Sequence, residues 1–87
     1  MHETSLMKGL MRQIDSAATA EGARRIVGIS VWLGALCNMS AEHFVEHFEH
    51  AALGTMAEGA TVDVTVCNDT QHANAQDFLL QNIEVET

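Results

Sequence analysis

A histidine stands directly after the initiator methionine in Met1-His2-Glu3, within chelating reach of the chain's α-amine. The amine of Met1, the backbone nitrogen of His2 and the His2 imidazole can close fused five- and six-membered rings around one ion. Such a nitrogen-rich, planar-leaning donor set suits square-planar Ni(II) or Cu(II) better than Zn(II) or Mg(II). The bulk of His2 should hinder removal of Met1, which keeps the amine where the gene puts it. The competing reading is a frayed chain end whose histidine has no task.

A second constellation lies mid-chain. His43, His47 and His50 fall at i, i+4 and i+7, beside a parallel row of Glu42, Glu46 and Glu49. Imidazoles at i and i+4 share one helical face, where a divalent ion can bridge them, and His50 can extend the site. The zinc-peptidase pattern H-E-x-x-H is not met, because Phe44 and Phe48 follow the first two histidines. The alternative is a solvated face that titrates near neutral pH, so the row reads as a secondary metal site or a docking face. No serine sits in a G-x-S-x-G elbow, no glycine-rich loop has the phosphate-binding pattern, and no C-x-x-C pair occurs. With no nucleophile-activating set in view, the chain is expected not to be an enzyme.

The elements that must position these residues follow from periodicity. From Ser5 to Glu21, Leu6, Met7, Leu10, Met11, Ile14, Ala17 and Ala18 recur at helical spacing, and Gly22 sits where a left-handed C-cap falls. Met7 and Met11 read as core and not as soft ligands. Arg24 to Cys37 reads as a strand, with Val27, Ile29, Val31 and Leu33 on one face and Ile26, Gly28, Ser30, Trp32 and Gly34 on the other. Trp32 is expected to cover a helix edge or to serve a partner as an aromatic anchor. Ser40 is a plausible N-cap for a second helix reaching about Leu53 and closed by Gly54. Its apolar face is Phe44, Val45, Phe48, Ala51 and Ala52, which leaves the His and Glu rows on the polar face. Val62, Val64 and Val66 alternate with Asp63, Thr65 and Cys67 in another strand. Asn68 to Gln76 reads as turns, and Leu79, Ile83 and Val85 share the parity of a last strand. The expected fold is a two-layer α/β domain, two helices on a mainly three-stranded sheet, with residues 1–87 forming a single domain.

Composition bounds the function. The chain has 87 residues, room for one domain whose small core needs a partner, a metal or a homo-oligomer for support. Twelve acidic against four basic residues, a net charge of -8, argue against nucleic acid or an anionic membrane and favour a cation or a basic partner. No apolar stretch is long enough to span a membrane and the first residues lack a signal peptide's regions, so the expected location is cytoplasmic. Cys37 and Cys67 read as reduced, partly buried thiols.

Several markers fall into one pattern: Met1-His2-Glu3, the Ser5-Leu6 helix, R-R-I-V-G-I-S-V-W-L-G-A-L from Arg24, G-T-M-A-E-G-A from Gly54 to Ala60, and the closing I-E-V-E. In order and spacing the chain resembles the HypA/HybF family of nickel metallochaperones, which assist maturation of [NiFe]-hydrogenases and sometimes urease. The resemblance covers residues 1 to 67 and 79 to 86. It implies a nickel site built from the His2 imidazole with backbone nitrogens of His2 and Glu3, a HypA-like nickel-binding domain, a HypB-type GTPase partner and delivery of the ion to a hydrogenase large subunit.

The chain also departs from the family pattern. Family members carry a zinc domain with two C-x-x-C motifs between the last two strands, whereas here only Asn68 to Phe78 fills that interval. The zinc domain is expected to be absent, with no structural zinc. An aspartate that some relatives use near the second helix is replaced by Ser40, and Glu42, His43 or His72 can fill the open nickel position. The expected function is therefore a carrier that binds Ni(II) transiently at Met1, His2 and Glu3 and releases it to a metalloenzyme. The alternative is a docking or scaffold paralogue for another enzyme complex. Nickel must displace protons from amine and imidazole, so its affinity should fall on acidification.

Overall fold

The computed structural model describes residues 3–37 and 39–87. Helix α1 runs Glu3–Ala20, strand β1 Arg25–Leu33, helix α2 Ala41–Ala52, strand β2 Thr61–Val66 and strand β3 Phe78–Glu86. The strands order β2-β1-β3, with β2 parallel and β3 antiparallel to the central β1. Both helices lie on one face of this sheet, α1 over β3 and α2 beside α1 over β2. The expected two-layer α/β architecture is the one observed.

Each helix is set by its ends and one apolar stripe. In α1, Met7, Leu10, Ile14 and Ala18 are buried at helical spacing. Gly22 takes φ +68°, and paired bonds from the Gly22 amide to the Thr19 carbonyl and from the Ala23 amide to the Ala18 carbonyl close the helix as anticipated. In α2, the Ser40 hydroxyl accepts from the His43 amide at 3.1 Å, while Phe44, Phe48 and Ala52 face the core. Removing that hydroxyl in Ser40→Ala should cost about 1 kcal/mol. A urea melt with unchanged slope and a lower midpoint would report it, and an unchanged midpoint would show the cap to be idle.

The strand facings differ from simple alternation. Ile26, Ile29, Val31 and Leu33 are buried, whereas Val27 is only half-buried. The pairing of β1 with β3 shifts register between Ile26 and Gly28, so one extra residue turns Ile26, and not Val27, toward the helices. A second shift lies between Ser30 and Val31, where Leu80 pairs with Val31 but Asn82 pairs with Ser30. It puts Phe78 and Leu80 on the core side together with Ile83 and Val85. The common parity expected for Leu79, Ile83 and Val85 therefore breaks at Leu79, which sits opposite Trp32. In β2, Val62 and Val64 pack on the core while Val66 stays exposed at the strand's end.

Strand β1 ends at Leu33, short of the expected Cys37, because the chain then turns under the segment joining β2 to β3. The Gly34 amide donates to the Asp77 carbonyl at 3.0 Å and the Leu36 amide to the Ala75 carbonyl at 2.7 Å. A Cβ on Gly34 would stand 2.2 Å from the Ala75 carbonyl oxygen and 2.6 Å from that of Asn74. These obstacles are backbone, so Gly34→Ala should force the two segments apart at about 1–3 kcal/mol. A melting temperature equal to wild type would contradict that close approach.

Candidate functional site

The polar face of α2 is held at a fixed rotation by the residues behind it. Phe44 and Phe48 are essentially inaccessible, stack at 6.4 Å centroid separation, and Phe44 meets Phe78 edge-on at 5.3 Å. His43 and His47, each one residue earlier, are thereby turned to solvent. Their imidazoles converge. The two Nε2 atoms lie 2.9 Å apart, one ring donating its N–H to the other, with centroids 4.5 Å apart and ring planes at 71°.

The other expected members of this set are dispersed. His50 opens with His47 into a groove of about 650 Å³ between the helices, opposite Met7, Lys8, Met11, Arg12 and Asp15. Glu42 lines a separate groove with Val45, Glu46, Val62 and Val64. His72 lies across the sheet's outer face, its ring 4.8 Å from that of Trp32 and tilted by 47°, and its Nδ1 accepts from the Asn74 amide at 2.9 Å. Trp32 thus covers no helix edge, and the β2–β3 connection supplies its neighbour. Among the described residues, no three histidine, cysteine, aspartate or glutamate side chains gather in a metal-holding group.

Met1 and His2, the leading sequence candidates, lie outside the described residues; Glu3 is described as the backbone residue that opens α1. Both cysteines are free and half-buried as expected. The Cys37 thiol donates to the Met39 carbonyl at 3.7 Å, and the Cys67 sulfur accepts from the Asp69 amide at 3.4 Å. Met11 packs against the core as expected, from its edge, and also lines the interhelical groove. Its i, i+4 relation to Met7 signalled an apolar stripe but not that α2 would leave part of it uncovered. Among the described residues, no helix is long and apolar enough to cross a membrane.

A family model described as hydrogenase/urease nickel incorporation, metallochaperone, hypA matches residues 1–76. The hydrogenase maturation factor HypA of Chlorobium limicola is 38% identical over 64 residues, which are 74% of this chain and 55% of that protein. That of Thermococcus onnurineus is 33% identical over 78 residues, covering 83% of this chain and 56% of the relative. The chain thus spans about half the length of the curated relatives it matches. The solution structure of the Ni metallochaperone HypA from Helicobacter pylori superposes with a TM-score of 0.75 at 18% identity, over 98% of this chain and 97% of that one. This likeness supports the shared fold. On the family match, which takes in most of its length, the chain belongs to the HypA family of nickel-incorporation metallochaperones.

Proposed function

We propose that the chain is a nickel carrier whose ion is held at its first residues and passed to a hydrogenase or related metalloenzyme without any substrate bond being made or broken. The observation that carries this reading is that the family match begins at residue 1 and so includes Met1, His2 and Glu3. Ni(II) would take the His2 imidazole, the His2 amide, and either the Met1 amine or the Glu3 amide.

The start of α1 supports that set. The first amides of a helix have no intrahelical acceptor, so enlisting the Glu3 nitrogen breaks no helical hydrogen bond. An amide that gives up its proton to a metal gains negative charge, which the positive end of the helix dipole favours. The low complement of basic residues adds a field attractive to cations.

In this reading a HypB-type GTPase and a hydrogenase large subunit are the exchange partners. It also has the domain working without structural zinc; residues 67–77 form a short turn-rich connection held by the Gly34 contacts. Calorimetric titration of Ni(II) into tag-free protein, and into a chain extended by several non-histidine residues before Met1 and carrying His2→Ala, tests the carrier. Loss of the tightest nickel equivalent on extension supports the terminal chelate. Retention of that equivalent overturns it.

A further inference from the structure

We propose that His43 and His47 form a second divalent-metal site, a two-imidazole chelate on α2 that takes Ni(II) or Cu(II) and leaves the ion's other positions to water or an incoming ligand. The geometry comes first. Metal–imidazole bonds measure about 2.0–2.1 Å, so nitrogens 2.9 Å apart subtend an angle of about 90° at a shared ion. That is the angle between neighbouring ligands in square-planar or octahedral coordination. A tetrahedral ion would hold the same nitrogens about 3.3 Å apart at that bond length. The pair as it stands can therefore span two neighbouring positions of Ni(II) or Cu(II).

The donors are also preorganised. Buried Phe44 and Phe48 fix the rotation of α2, and Ser40 caps its first turn through the His43 amide itself. The two rings already share one proton-bearing contact between their Nε2 atoms. Metal binding requires that both rings carry their proton on Nδ1 and present both Nε2 lone pairs to the ion, which at these bond lengths lies to one side of the line between the two nitrogens. Glu42 and Glu46, on adjacent positions of the same helix, contribute negative charge near the bound cation.

Two protein ligands make an open and exchangeable site, unlike the closed four-ligand shell of a structural metal. Its place in the fold suits exchange. Met7, Lys8 and Met11 face His47, His50 and Ala51 across one groove, and Met11, Ile14 and Asp15 face Ala51, Thr55 and Met56 across the next. The helices thus run in the same direction, and Glu3, one turn before Met7, opens α1 level with the turn of α2 that carries His43 and His47. A relay of nickel between the chain's first residues and this pair rests on the carrier reading above; the metal site itself rests only on the pair.

The test uses Ni(II) with four chains: native, a chain extended by several non-histidine residues before Met1 and carrying His2→Ala, that extended chain with His43→Ala and His47→Ala, and that extended chain with Glu42→His and His43→Glu. The last keeps the composition but moves one imidazole about 100° around the helix. Equilibrium dialysis counts the nickel, and long-range proton–nitrogen NMR follows each imidazole ring. The extended chain should bind one equivalent with the ring signals of His43 and His47 both broadened, and both altered chains should lose that equivalent. Because the substituted side chains are exposed, circular dichroism should show α2 unchanged. Ring signals of His43 and His47 that ignore nickel in the extended chain, or an equivalent that survives either alteration, would overturn the site. Failure of the terminal chelate shows separately, as a native chain that binds no more nickel than the extended one.

Discussion

Val31→Asp is expected to leave no folded protein at neutral pH. Val31 is fully buried at the centre of β1, paired with Val64 on one side and Leu80 on the other. Among the described residues, no polar or charged side chain is buried, so the core offers the new carboxylate no partner. An unpaired buried ion costs several kcal/mol even after relaxation, against about 5–10 kcal/mol for the whole stability of a domain this small. Val31→Thr provides the control, since it keeps the shape and adds only one unsatisfied hydroxyl at about 1–3 kcal/mol. The threonine variant should melt early but cooperatively, and the aspartate variant should show neither native circular dichroism nor dispersed amide signals. A folded aspartate variant would mean that residue 31 does not face the helices.

That facing was legible because Ile29, Val31 and Leu33 lie between the two irregularities or past them, where a period of two still holds. Ile26 and Leu80 were not legible for the same reason in reverse. Each sits beside a register shift between β1 and β3, and a shift is settled by pairing between segments far apart in the chain. The helix ends were more transparent. Gly22 and Ser40 act through residues within five positions, so the local sequence contains the whole interaction.

The histidine row was legible in part. Spacing at i and i+4 put His43 and His47 on one face, and their rings do meet. His50 falls at nearly the same angle one further turn along, yet its ring borders the groove with Lys8 and Arg12. That choice depends on where α1 packs, which no pattern within α2 encodes. His72 met Trp32 for an equally non-local reason: the backbone contacts at Gly34 fold the β2–β3 connection against the end of β1.

Replacing His2 with alanine is expected to remove the tight nickel equivalent while leaving the fold intact. Residues that merely orient a metal ligand change affinity by about 10–100-fold when lost; deletion of a donor atom should therefore exceed about 100-fold. Glu3→Ala makes the informative contrast. If Glu3 contributes through its backbone nitrogen, alanine keeps that donor and nickel affinity should stay near that of the native chain. A loss equal to that of His2→Ala would instead assign the carboxylate to the metal. Protons supply an independent check, because an ordinary α-amine titrates near ~8 and an ordinary imidazole near ~6.5, and each must be deprotonated to bind. Affinity should drop steadily as pH falls from about 8 to about 6. A chain that holds nickel equally well across that interval would not be using an amine and an imidazole, and the carrier would need a different site.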